Sequence, residues 1–409
     1  MPRPMDVAVL GAGPAGMASA IYLNRLGHRV TIFERFETAR PLGSGLMLQP
    51  TGQAVLDDLG LLPRIASLGQ RIERLDGRDA RTGRVVLDVR YAALRRGHAI
   101  GVHRAALFSV LHEAVIGAGI AVVLGAAVTG IERLAASRSK LVLASGGSEG
   151  PFDLVIDGSG TGTPLRAETR RPGRPRAMRF GALWATVPWT DAGFDRQALM
   201  QRYRHASKML GVLPIGQQAP GGPELAAFFW SLPAESVAAL RARGFEAWQE
   251  EVIALWPATR PLVESLAGFD ALTLARYTHA TMGTPAGDGL VFVGDSAHST
   301  SPQLGQGANM ALLDAKALAV ALETVPDLAS ALALYAKLRR VHVRLYQALS
   351  LLLTPLYQSE SVALPMLRDV LVAYVGRVPP MPQLLARMVG GSLVDATGKL
   401  ALRSPAQLD

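Results

Sequence analysis

The chain has 409 residues, 49% of them hydrophobic, and a formal net charge of +9. Such a length and composition imply a large buried core shared by two or three domains, and exclude a disordered or fibrous chain. The absence of cysteine excludes disulfides, thiolate metal sites and cysteine nucleophiles, so redox chemistry here needs a bound cofactor.

Five of the 42 basic residues are Lys and the Arg are scattered, which does not suit a nucleic-acid surface. The one cluster, Arg166, Arg170, Arg171, Arg174, Arg176 and Arg179, is threaded with Pro172, Gly173 and Pro175 and reads as a solvated loop. The eight His are dispersed without metal-ligand spacing, so no metal is expected. The N-terminus enters a strand without a secretory-type lead. The most apolar C-terminal stretch, 345–356, is interrupted by Gln347 and Pro355 and is shorter than the ~20 residues a span requires. A soluble, cytoplasmic protein without an integral membrane segment is expected, with peripheral membrane contact by the C-terminal helices left open.

In chain order, the first unit is a strand over 6–10, a glycine turn, a helix over 14–26 and a strand over 29–33. Val7, Val9, Val30, Ile32 and Phe33 suit a parallel sheet buried on both faces. After a Gly- and Pro-rich loop come a short helix over 50–59 and alternating antiparallel strand pieces over 72–98. A helix over 104–117 precedes strands near 120–124, 127–134, 141–144 and 153–157. Antiparallel strands are expected within 180–232, then helix over 234–255 and a strand over 272–277. The apolar run 289–293 reads as a strand returning to the first sheet, and everything after Ala311 has a helical pattern broken by Pro326, Pro355, Pro365 and Pro379–Pro380. The chain thus leaves a nucleotide-binding sheet, builds a second sheet and comes back, which places a pocket between the two.

Two motifs indicate the ligand. In Gly11-Ala12-Gly13-Pro14-Ala15-Gly16, Gly11 permits a tight turn, Gly13 lets the backbone approach a pyrophosphate and Gly16 allows close helix–strand packing. The helix start offers free N–H groups to phosphates. Glu34, closing the second strand, can accept hydrogen bonds from adenosine ribose hydroxyls, with Arg35 beside it. The second motif, GDSAHSTSPQLGQGAN from Gly294 to Asn309, distinguishes a flavin from a nicotinamide nucleotide. Asp295 can bind hydroxyls of a ribityl chain. Gly305, Gly307 and Asn309 lie where a helix begins, and their freed N–H groups would stabilise charge on the N1–C2=O edge of a reduced flavin. FAD is therefore the expected cofactor, and His298 is expected to fix this loop.

With these motifs the sequence resembles the flavin monooxygenases of the para-hydroxybenzoate hydroxylase type, through the N-terminal unit, the segment VHRAALFSVLHEA, the strand pair near Val128 and the stretch from Gly294 to about Leu322. The resemblance implies an α/β chain: a Rossmann-like FAD-binding domain (1–71, 99–166 and 281–350), an interleaved α+β substrate domain built on an antiparallel sheet (72–98 and 167–280), and C-terminal helices (351–409). It further implies that Arg104 binds FAD, that backbone near Val128 contacts adenine and that Pro302 adjoins the flavin. The implied reaction uses NADH or NADPH and O2 to hydroxylate an aromatic or polycyclic small molecule through a C4a-hydroperoxide. Tyr203, His205, Tyr277 and His279 are candidate proton-relay groups, and Trp184, Phe229 and Trp230 candidate pocket walls. One departure stands out: Ser159-Gly160 occupies the place of the family's Asp-Gly pair, which removes a charge and bears on nicotinamide use. A flavin reductase, oxidase or dehydrogenase, or a non-catalytic FAD-binding protein, are the alternatives.

Overall fold

The computed structural model describes residues 3–38, 43–94, 97–135, 138–361, 363–370 and 378–403. Strand β1 (Asp6–Leu10), helix α1 (Pro14–Arg25) and β2 (Arg29–Phe33) open the chain. Then come β3 (Gly45–Leu48), α2 (Pro50–Asp58), α3 (Leu62–Leu68), β4 (Gln70–Ile72), β5 (Arg74–Asp79), β6 (Val85–Arg90), β7 (Ala99–His103), α4 (Arg104–Gly117) and β8 (Ala121–Val123). An antiparallel trio, β9 (Val128–Arg133), β10 (Ser139–Leu143) and β11 (Ser148–Phe152), precedes β12 (Leu154–Asp157). The middle of the chain supplies β13 (Arg176–Pro188), β14 (Ala198–Arg204), β15 (Lys208–Gln217), β16 (Glu224–Pro233), α5 (Val237–Ala242), α6 (Phe245–Leu255), α7 (Arg260–Glu264) and β17 (Thr273–His279). Last are β18 (Ala286–Gly287), β19 (Leu290–Phe292), the single turn α8 (Asp295–His298), α9 (Gly307–Thr324), α10 (Leu328–Tyr357), α11 (Ala363–Val370) and α12 (Met381–Val389).

The fold class is the expected one. A six-stranded sheet runs β18-β19-β12-β1-β2-β8, parallel throughout except at β18. Val7, Val9, Ile32, Leu154 and Ile156 are fully buried in it, as unbroken apolar strands covered on both faces should be. A seven-stranded sheet, β17-β13-β16-β15-β14-β5-β6, is antiparallel save for the β14–β5 pair. The strand period of two divides its residues. Leu183, Leu210, Phe228 and Trp230 face a core closed by Trp248, Trp256 and Leu262, while Tyr203, Met209, Leu213 and Phe229 face the rest of the protein.

Three features depart from the sequence reading. The Gly- and Pro-rich loop contains β3, which joins β7 and β4 in a separate three-stranded sheet. That sheet lies against β15 because Gly101 has no side chain: a Cβ there would lie 2.0 Å from the Pro214 carbonyl oxygen. Within 180–232 the expected strands are the apolar stretches GALWATV, MLGVLPI and LAAFFWSL; β14 is an additional one, whose sequence ALMQRYR carries polar Gln201, Arg202 and Arg204 and no apolar run. Pro355 and Pro365 do not break the C-terminal helices. Pro365 stands in the first turn of α11, where its missing N–H is not needed, and Pro355 in the last turn of α10, where it deprives only the exposed Leu351 of a donor. Helix α10 consequently runs through the expected boundary at 350. Among the described residues no helix is long and apolar enough to cross a membrane.

Candidate active site

One cavity of about 1190 Å³ reaches from the carboxyl ends of the parallel strands to the open face of the seven-stranded sheet. At its first end Gly11, with φ +90°, turns the chain after β1, and a Cβ there would lie 2.9 Å from the Gly158 carbonyl oxygen. Gly13 has open space where a Cβ would stand and precedes α1, whose amino end has Pro14 at its start and no side-chain cap. Gly16 does not line the cavity; it lets α1 press on the turn, a Cβ there falling 2.0 Å from the Gly11 oxygen. Glu34 is buried and lines the wall, accepting from the Ala12 amide at 2.7 Å and the Phe36 amide at 3.1 Å. Each carboxylate oxygen retains a second lone pair for a ribose hydroxyl. Arg35, stacked on Phe36, and Val128 complete this end.

In the middle, Gly294 (φ +63°) ends the returning strand and aims Asp295 into the cavity beside the amino end of α9, a Cβ at Gly307 falling 3.9 Å from Asp295 Oδ1. Pro302–Leu304 form one tight turn, Gly305 is left-handed at φ +61°, and no side chain caps α9. The amino ends of α1 and α9 thus converge on one space with their N–H groups uncommitted to side chains, which suits phosphate at one and a developing anion at the other. Arg104 projects from the first residue of α4 into the same space. Burial lowers its pKa, opposed by Asp295 and then Tyr277; burial raises that of Asp295, opposed by His298 and Arg104. Asn309, expected for its backbone N–H, has its side chain behind the wall. Its side chain accepts from the Gln49 amide and donates to Met47 and Gly305, tying β3 to the flavin loop.

Ser159 lines the cavity, but the charge expected to be lost from this turn persists two residues earlier. The fully buried Asp157 carboxylate accepts from the Ser159 amide at 2.9 Å, from its hydroxyl at 2.6 Å and from the Thr163 hydroxyl. Burial raises the Asp157 pKa, and these hydrogen bonds oppose it.

The loop 294–306 is held by His298, as expected, and by groups that the sequence reading missed. Asp314 on α9 is fully buried and accepts from the Gly294 amide at 2.8 Å and Arg339 Nε at 2.6 Å, with His298 Nε2 at 2.6 Å. Its pKa is held far below the usual carboxylate range by His298 and Arg339, which outweigh its desolvation. From α10, Gln347 donates to the Ser299 carbonyl, while Ser350 and Thr354 meet the Ser301 hydroxyl. His342 lies against Arg339 and donates from Nε2 to the Gly391 carbonyl, so Nδ1 is its unprotonated nitrogen. Burial, then Arg339, pushes its pKa from 6.5 down to about 3. Between those values the unfolded chain binds the extra proton, so stability is lost as pH falls through this window, by up to ~1.4 kcal/mol per unit. In His342→Gln the slope of denaturation midpoint against pH, measured from 6.5 to 4, should flatten accordingly; an unchanged slope would show that His342 is not the group being protonated.

Beyond the flavin loop the cavity widens into a chamber on the seven-stranded sheet. Trp184, Tyr203, Phe229 and Tyr277 line it. Trp184 Nε1 donates to the Tyr277 hydroxyl at 3.0 Å and its ring lies 4.8 Å from that of Phe229. Burial raises the Tyr277 pKa, opposed by Trp184 and then Arg104. One candidate wall residue, Trp230, and two candidate relay groups, His205 and His279, lie off the chamber. Trp230 points to the opposite face, edge-on to Trp248, because it is one residue out of phase with Phe229. His205 is exposed with φ +56° in the tight turn between β14 and β15. His279 lies at the edge opposite Arg176, off the lining. The chamber also holds groups that carry no distinguishing mark in the sequence: Gln201, Gln358, Arg368 and, from α12, Met381, Leu385 and Met388.

The comparisons with known proteins agree with this geometry. The family described as FAD binding domain matches residues 4–344. The 6-methylpretetramide 4-monooxygenase of Streptomyces rimosus is 29% identical over 324 residues, covering 76% of this chain and 73% of that protein. The 3-amino-4-hydroxybenzoate 2-monooxygenase of Streptomyces cremeus is 29% identical over 346 residues, covering 79% and 80%. Klebsiella pneumoniae HpxO, solved in complex with FAD and uric acid, shares the fold at a TM-score of 0.79 and 20% identity, over 95% of this chain and 97% of that one.

Proposed function

Since the chain belongs to the FAD binding domain family of flavin monooxygenases, we propose that it hydroxylates an aromatic or polycyclic small molecule with O2 and electrons from NADH or NADPH. The observation that supports this most is the continuity of the cavity, which exceeds the ~300–1,000 Å³ of an ordinary small-molecule site and joins a dinucleotide cradle to an aromatic chamber. Bound FAD supplies the redox chemistry, accepting hydride and activating O2.

The protein's part is positioning and charge. We assign pyrophosphate to the turn 11–15, ribose to Glu34, ribityl hydroxyls to Asp295, and the pyrimidine edge of the ring to the amino end of α9. Arg104, desolvated between Asp295 and Tyr277, adds a fixed cation on the chamber side. Tyr277 receives the Trp184 N–H and keeps its own proton at neutral pH, so its hydroxyl holds a hydrogen-bond donor towards the reacting centre. The apolar chamber excludes water that would divert activated oxygen. Residues 1–71, 99–166 and 281–350 form the cofactor half in this reading, and 72–98 with 167–280 the substrate half.

The test is turnover of the FAD-loaded protein with NADH or NADPH and hydroxylated aromatics under isotopically labelled O2. Incorporation of one labelled oxygen per product is expected. Substrate-stimulated oxidation of the nicotinamide without label in any product would replace this reading with a reductase or oxidase.

A further inference from the structure

The chamber's chemistry narrows the substrate, on the premise that the protein is a flavin monooxygenase. Its wall is dominated by Leu75, Leu199, Met209, Leu213, Phe229 and Leu385. Among the described residues two cations reach the chamber: Arg104 at its flavin end, whose charge faces Asp295, and Arg368 deeper in the wall, whose charge is already committed. Asp369 accepts from Arg368 Nε at 2.8 Å and from Nη2 at 2.7 Å, while Nη1 donates to the Leu356 and His205 carbonyls. The rings of Tyr203 and Tyr357 flank the guanidinium at 5.3 and 5.2 Å. Asp88 adds a carboxylate to the same wall, paired with Arg74 and Arg90. A carboxylate held in the chamber away from Arg104 would therefore be desolvated without a free partner, which is strongly unfavourable.

Thr300 and Gln303 each leave a buried polar atom unpaired in the flavin loop; beyond that loop, among the described lining residues, one such group awaits a partner. Gln358, 5% exposed at the end of α10, donates through Nε2 to the Ser231 hydroxyl at 2.7 Å, but its Oε1 is buried without a hydrogen bond. Gln201 is the second amide in the wall. Its Oε1 accepts from the Tyr203 hydroxyl at 2.9 Å, leaving Nε2 with only a 3.6 Å contact to the Met209 sulfur. An unsatisfied buried acceptor costs free energy until a donor arrives, so it rewards ligands that bring one.

We propose that the substrate is an uncharged, fused-ring aromatic bearing an O–H or N–H group, and that Gln358 Oε1 accepts from that group. Gln358 is on this account a specificity-determining residue: a polycyclic phenol or lactam fits, and a benzoate-type acid does not.

The test titrates the flavin absorbance of the FAD-loaded full-length protein with 2-naphthol, 2-methoxynaphthalene, 4-hydroxybenzoate and 3-hydroxy-2-naphthoate. 2-Naphthol should bind at least tenfold more tightly than either carboxylate. Gln358→Leu should weaken 2-naphthol about five- to tenfold and leave 2-methoxynaphthalene unchanged, the loss of one uncharged hydrogen bond. Gln358→Met takes its place if the leucine protein does not retain FAD. The proposal is overturned if either acid binds as well as 2-naphthol, if no probe perturbs the flavin, or if the Gln358 variants bind all probes like the parent. A protein that does not hold FAD, or whose flavin NADH and NADPH both fail to reduce, refutes the monooxygenase reading instead.

Discussion

Gly16→Val is expected to yield a protein that no longer takes up FAD. A Cβ at this position would lie 2.0 Å from the Gly11 carbonyl oxygen and 3.2 Å from Val9 Cγ1, so α1 must move off the turn whose amides face the cavity. Such overpacking costs ~1–3 kcal/mol of stability, but the larger consequence is loss of the phosphate cradle. Gly13→Ala separates the two effects, because nothing in the protein lies within 4 Å of a Cβ there. That variant should unfold at the parental midpoint yet bind FAD roughly 10- to 100-fold more weakly, ~1.4–2.7 kcal/mol. Fluorescence titration of apoprotein with FAD, alongside denaturant unfolding, reads both. Parental affinity in Gly13→Ala would move the pyrophosphate away from this turn.

The second large effect is expected from Asp314→Asn. Removing one partner from a buried charge group leaves the other uncompensated, typically at ~3–5 kcal/mol. Here Arg339, 4% exposed, would keep its charge and lose its carboxylate, and the Gly294 amide would lose an acceptor. Unfolding should shift by an amount in that range, and FAD should be retained less well, because Gly294 sets the direction of Asp295. Since folding depresses the Asp314 pKa, its contribution is present above the unfolded value of about 3.8 and disappears as pH falls further. The parent and Asp314→Asn should therefore differ fully at pH 5 to 7 and converge in stronger acid. A difference that persists there would assign the effect to shape instead of charge.

The parallel sheet and its two glycine-rich turns were legible because their signals are local: an unbroken apolar strand, a glycine where the backbone must turn, and a helix start immediately after. The same logic failed on the second sheet, where one face closes a core and the other lines the chamber, and both are apolar. Trp230 and Phe229 are neighbours in sequence and look equally suited to a pocket; only the phase of β16 separates them. His205, a candidate relay group, stands in the tight turn between β14 and β15, a position that nothing in its sequence context marks.

Helix α10 was the most readable of the omissions. Arg339, His342, Gln347, Ser350 and Thr354 recur on one face of an otherwise apolar helix and are all buried. A polar stripe of that kind cannot be solvated and must serve something packed against it. Gln358 gave no comparable signal, since its significance depends on which of its two amide ends is left without a partner.

The parallel sheet has a consequence for how the protein is made. Strand β19 pairs with β12 and delivers Asp295, whereas the turn that complements it, 11–15, lies well before it in the chain. Roughly 280 residues separate the two, about 15–60 s of translation at typical rates. A nascent chain therefore presents an incomplete sheet and half a nucleotide cradle throughout that interval. Only after α9 and α10 emerge can Asp314 and Arg339 meet and lock the returning strand. Cofactor capture thus waits for the returning strand, and a cell short of flavin would accumulate chains in which the interface between that strand and the glycine turn is left loose.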